Sequence, residues 1–174
     1  MFSTLPDLVD PWRAAESSAI FAGRLPLSAL PRLRALLIDT AGDVVYRLAF
    51  FRDSGERAVV IGDVDACLSL RCQRCLKAME HRVNARVELA LVAGLDEVER
   101  LPDSHDPLLV TDHLIRPLDL IEDELLLGLP QIPRHEPGIC RVEVEGLSSP
   151  APATNGGEMN PFAALAALKR ERNN

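Results

Sequence analysis

The most regular pattern in the chain is an alternation of apolar and polar side chains running, with two interruptions, from residue 44 to residue 92. Val44 to Phe51 reads as a strand, and Asp53-Ser54-Gly55 supplies a turn. Ala58 to Arg71 predicts the next strand. Val60, Val64, Ala66, Leu68 and Leu70 share one of its faces, and Asp63, Asp65, Cys67, Ser69 and Arg71 share the other. Met79 to Val92 alternates most cleanly, with His81, Val83, Ala85, Val87, Leu89 and Leu91 opposite Glu80, Arg82, Asn84, Arg86 and Glu88. Three such runs predict an antiparallel meander with one solvated face. Cys72 and Cys75 then fall at the tip of its last hairpin.

Outside the meander the period changes. Ala19 to Leu25 predicts a short first strand stopped by Pro26, and residues 29–38 a helix N-capped by Ser28. Leu30, Leu33, Leu36 and Leu37 form the buried stripe of that helix. Residues 94–107 read as a solvated acidic loop, and Leu108 to Val110 as an added edge strand. Leu118 to Leu129 predicts a second helix with Asp119 at its N-cap, a stripe of Leu118, Ile121, Leu125 and Leu129, and Glu122, Asp123 and Glu124 near the positive end of its dipole. Residues 1–18 read as a loose lead-in, 19–145 as one domain and 146–159 as a flexible linker. A C-terminal amphipathic helix over 160–174 opens on Asn160 and Pro161, turns Phe162, Leu165 and Leu168 to one face and carries Lys169, Arg170 and Arg172 at its C-terminal end. It is marginal alone and is expected to dock. The expected class is α+β, an antiparallel sheet with a few packed helices.

Composition changes this picture in two ways. Only 4% of the 174 residues are aromatic, so the core rests on Leu, Val, Ile and Ala. The formal charge of -7 argues against wholesale electrostatic attachment to nucleic acid. No apolar run reaches the roughly 18 residues of a membrane span, and no basic start leads into an apolar core. The expectation is a cytoplasmic protein with no membrane attachment, in which four cysteines are free thiols or metal ligands.

Cys72-x-x-Cys75 followed by His135 and Cys140 has the ligand types and local spacings of a closed structural zinc site. Against this stand two readings: small buried cysteines with a surface histidine, and a redox pair, which the antiparallel flanks disfavour. The same stretch is the most basic in the chain. Arg71, Arg74, Lys77, Arg82 and Arg86 against Glu80 give +4 over residues 71–86, leaving -11 elsewhere. Such a hairpin can meet RNA phosphates, or it is a solvated face paired to the acidic loop. No GxSxG, glycine-rich phosphate loop or HExxH is present, and the expectation is a protein that is not an enzyme.

Three stretches together resemble the YceD family, the large ribosomal RNA subunit accumulation proteins. They are Cys72-Gln73-Arg74-Cys75, the run from Leu118 through Pro130 to His135 and Cys140, and Asn160-Pro161-Phe162 through Lys169. Phe21-x-Gly23 is a weaker fourth. The resemblance implies a role in synthesis, processing or stability of 23S ribosomal RNA, with no assigned reaction and no catalytic residue. It implies large-subunit ribosomal RNA or a basic large-subunit ribosomal protein as partner. Within it, Asn160, Pro161, Phe162, Leu165 and Lys169 join the basic hairpin as candidate contacts.

Overall fold

The alternating stretches form one five-stranded sheet in the order β1-β2-β3-β4-β5. These are β1 Ile20–Pro26, β2 Asp43–Arg52, β3 Ala58–Arg71, β4 Ala78–Val92 and β5 Asp106–Leu109. The computed structural model describes residues 5–102 and 104–140. The linker expected over 146–159 and the helix over 160–174 lie outside the described residues. The first four strands are antiparallel neighbours. The fifth lies parallel to β4, not antiparallel as a meander would continue. The reason is the long connection after Val92, which includes the one-turn helix α3, Leu95–Val98. A crossover of about a dozen residues can bring the chain back to run parallel beside the last residues of β4, Leu89 to Val92, which a hairpin cannot.

The period-2 pattern buries one face. Val44, Tyr46, Leu48 and Phe50 of β2, Val60, Val64, Ala66, Leu68 and Leu70 of β3, and Val83, Val87 and Leu91 of β4 meet the helices there. Phe21 meets Phe50 edge-to-face, with centroids 5.7 Å apart.

Three helices cover that face, and they depart most from expectation. The lead-in carries α1, Pro11–Glu16, whose Ala14 and Ala15 are buried. Asp10 caps it, accepting the N–H groups of Trp12 and Arg13 at 3.1 Å. The helix expected over 29–38 is a single turn, α2, Pro31–Arg34, after a 3₁₀ turn at Leu27–Ala29. Leu30 stays extended, so Ser28 caps nothing and Leu36 is exposed. The final described helix is α4, Pro117–Leu127, with Ile121 and Leu125 fully buried. Its N-cap is Arg116, which makes no side-chain cap bond, and Asp119 lies within the first turn.

Glu122 does not serve the α4 dipole as expected. It is 1% exposed and points away from its own helix. One carboxylate oxygen accepts the N–H groups of Arg32 at 2.7 Å and Leu33 at 3.0 Å, and the other accepts Arg32 Nε at 2.8 Å. A residue about 90 positions away thus supplies the N-terminal cap that α2 lacks. Burial alone would raise the Glu122 carboxyl, but the Leu33 N–H and the Arg32 side chain and N–H outweigh it and hold the pKa below its ordinary value.

The other end of α4 is pinned by contact. A Cβ on Gly128 would overlap the Val83 side chain on β4, and His81 Nε2 donates to the Gly128 carbonyl at 3.2 Å. Gly128→Ala is therefore expected to destabilise the protein by about 1–3 kcal/mol through overpacking. Denaturant unfolding checks this, and a change under about 0.5 kcal/mol would mean that α4 and β4 separate freely. Among the described residues, no helix is long and apolar enough to cross a membrane.

Candidate metal centre

β3 ends at Arg71 and β4 begins at Ala78, so the six residues between them make the hairpin tip. Their backbone closes on itself. Cys72 N–H donates to Lys77 O at 3.0 Å, and Leu76 N–H donates to Cys72 O at 2.9 Å. Leu76 completes the turn in the left-handed region, at φ 59°. The tight loop brings Cys72 and Cys75 to one side.

Beyond α4 the chain runs irregularly from Pro130 back along this tip. Gln73 N–H donates to Pro133 O at 2.8 Å, and His135 Nε2 donates to Ala78 O at 3.1 Å. A carbonyl can only accept, so Nε2 carries the proton and the Nδ1 lone pair is free. It faces Cys75 Sγ at 3.5 Å. Gly138, at φ 94°, turns the chain where a side chain would be strained. Cys140 Sγ then lies 3.8 Å from Cys72 Sγ.

The ligand atoms of Cys72, Cys75, His135 and Cys140 all lie within 4.8 Å of one another. The structure therefore brings together the four residues that sequence spacing selected. A zinc tetrahedron with Zn–S near 2.3 Å and Zn–N near 2.0–2.1 Å has S–S edges of about 3.8 Å and S–N edges of about 3.6 Å. The 3.8 Å and 3.5 Å separations match those edges. The His135–Ala78 bond is the outer support that fixes a ligating imidazole in the right tautomer. The donor set fits zinc.

The electrostatics point the same way. Burial would raise the Cys72 thiol, but the N–H groups of Cys75, His135 and Arg74 and the His135 side chain bring it down to about 5. Cys140 is pushed up to about 11 by burial and by the Cys75 and Cys72 sulfurs. One thiolate is cheap here and the next is repelled, a conflict that a divalent cation relieves. Cys67 is exposed on the outer sheet face, away from the cluster.

The expected basic hairpin divides in two. Arg82 binds Asp65 at 3.0 Å and Arg86 binds Glu88 at 2.6 Å. Asp65 is held below its usual pKa by Asn84, and Arg82 adds to that. These partners are strand neighbours, not the acidic loop that was the alternative. Arg71, Arg74 and Lys77 are exposed and form no ion pair with a described residue. Arg134, which the sequence reading passed over, is exposed beside His135 and joins them. The available signal was its position next to a ligand. Leu76, Ile132 and Ile139 are exposed on the same segments. Asn160, Pro161, Phe162, Leu165 and Lys169 lie outside the described residues.

A family model described as large ribosomal RNA subunit accumulation protein YceD matches residues 60–169. A Haemophilus influenzae protein of the same description is 30% identical over 171 residues, covering 96% of this chain and 97% of that protein. No solved structure matches the chain.

Proposed function

The chain belongs to the YceD family, the large ribosomal RNA subunit accumulation proteins, and from that premise we propose that it sustains accumulation of large-subunit ribosomal RNA in the cytoplasm by binding, not by catalysis. The observation that carries this reading is the Cys₃His cluster at a hairpin tip beside exposed cations that form no ion pair with a described residue. Four protein ligands leave no open coordination position, which favours structural over catalytic zinc. Bound zinc supplies charge compensation and a cross-link. Cys72 and Cys75 on the hairpin, with His135 and Cys140 on the returning loop, hold it. Arg71, Arg74, Lys77 and Arg134 then form one surface for RNA phosphates. That surface repels a basic ribosomal protein, so RNA is the partner the tip favours.

Deleting the gene is expected to lower the ratio of large- to small-subunit ribosomal RNA. An unchanged ratio with an unchanged precursor profile would count decisively against the reading. In the purified protein, reversing Arg71, Arg74 and Lys77 together to Glu is expected to weaken RNA binding and flatten its salt dependence, by a slope of about 0.7–0.9 per lost phosphate contact. Reversing Arg82 and Arg86 should do less, because each already faces a carboxylate. Equal losses from both sets would place the RNA surface elsewhere on the sheet.

A further inference from the structure

Beside the cation-bearing tip lies a cleft of about 410 Å³, bounded by the end of β3, the C-terminal turn of α4 and the loop that follows. Its volume falls within the roughly 300–1,000 Å³ of small-molecule sites. Leu126, Leu129, Pro130 and Pro133 line it with flat or branched apolar surface. Three exposed polar side chains also line it: Arg71, Gln73 and Gln131.

This chemistry is specific. The Gln131 amide offers two donors and an acceptor, and Gln73, which donates one N–H to the Arg71 carbonyl at 3.4 Å, offers a second donor and an acceptor; this suits the edge of a nucleobase, while the prolines and leucines suit its face. Arg71 belongs both to the cleft and to the group of exposed cations that pair with no described residue, so a sugar-phosphate chain lying along Arg71, Arg74, Lys77 and Arg134 passes the cleft. A-form duplex RNA keeps its bases stacked and paired, and has nothing to insert. Unpaired nucleotides in loops and ends can splay a base outward. We propose that the cleft holds the base of an unpaired RNA nucleotide while the neighbouring cations bind its phosphates, so that the partner is single-stranded or looped RNA and not duplex. This rests on the phosphate-binding reading above. The lining has no aromatic ring, so recognition comes from shape and the two amides, not from π-stacking.

The test uses the full chain purified without chelator and two probes, an unstructured oligouridine and a blunt RNA duplex of equal length. The oligouridine is expected to bind about tenfold more tightly. The Gln73→Ala/Gln131→Ala variant changes no charge and alters only exposed side chains. It is expected to lose roughly that tenfold preference, since two hydrogen bonds are worth about one order of magnitude, while duplex binding stays constant. Leu36→Glu, which places a carboxylate on the cleft wall, should weaken the oligouridine more than the duplex. Equal affinity for both probes, unmoved by the glutamine variant, overturns the base site and leaves the phosphate surface standing. Binding of neither probe overturns the phosphate reading itself. Loss of binding to a purified large-subunit ribosomal protein in the glutamine variant, with oligouridine affinity intact, assigns the cleft to protein and also overturns the proposal.

Discussion

Glu122→Ala is expected to destabilise the protein by about 2–4 kcal/mol, mainly the cost of leaving backbone donors without an acceptor, because Arg32 is itself half-exposed and keeps Asp123 as a partner. The carboxylate is 1% exposed and accepts three bonds, two of them from the backbone of α2. Its loss strands the N–H groups of Arg32 and Leu33, each worth about 1–3 kcal/mol when left unsatisfied. For a chain of this size the melting temperature should fall by about 10 °C. Glu122→Gln keeps one acceptor oxygen for those N–H groups but loses the charge and the acceptor for Arg32 Nε, so its cost should be smaller than that of the alanine variant. A thermal shift under about 2 °C for the alanine variant would show that α2 and α4 are held by apolar packing alone.

The same residue makes a pH prediction. The folded pKa of Glu122 lies below its unfolded value of about 4.3. Its contribution is therefore complete above the unfolded value and is lost as pH falls through the folded one. The stability gap between the natural protein and Glu122→Gln should be constant near neutrality and narrow below about pH 4. A gap that widened on acidification would reverse the assignment.

The second large effect is on metal content. Protein purified without chelator is expected to carry about one zinc per chain. Cys72→Ser and Cys140→Ser should each lose it, and Cys67→Ser should keep it. Removing a ligand should cost more than the roughly 10–100-fold that loss of an outer hydrogen-bond partner costs. The sheet should survive, because its core of Leu48, Phe50, Val60, Val64 and Leu68 lies apart from the cluster. Chelation is thus expected to leave the strand signal unchanged and to speed amide exchange at Gln73 and Ile139, whose N–H groups bond within the tip and loop. Zinc retained by Cys140→Ser would exclude the four-ligand site.

What was legible in the sequence was whatever depended on local period. The β3 boundaries follow from the alternation between Ala58 and Arg71, and the inward residues of β4 follow from its parity. The cluster was legible because thiols and imidazoles are few and soft ligands have narrow spacing rules. Long-range partners were not legible. Glu122 has the sequence signature of an ordinary helix-start charge, and only its distant contact with α2 reveals the cap. The partner of Arg82 was not legible, because only strand register brings Asp65 of β3 near it, whereas Glu88 lies two residues from Arg86 on the same face of β4 and was within reach of the alternation. The helix at Pro11 did carry local signals, an Asp cap and a proline at the first position, but six residues are too few for periodicity to register.

The positions of the four ligands along the chain also set an order of events during synthesis. At roughly 5–20 residues per second, Cys140 is made about 3–13 s after Cys75. The first three strands are made before that interval opens and β4, β5 and α4 during it, while half of the ligand set is still to be made when the hairpin tip is finished. Zinc capture is then the closing act of translation for this domain, not its nucleus. Refolding without zinc should regain the sheet at its normal rate. Metal uptake should follow as a separate step limited by arrival of the 130–140 loop.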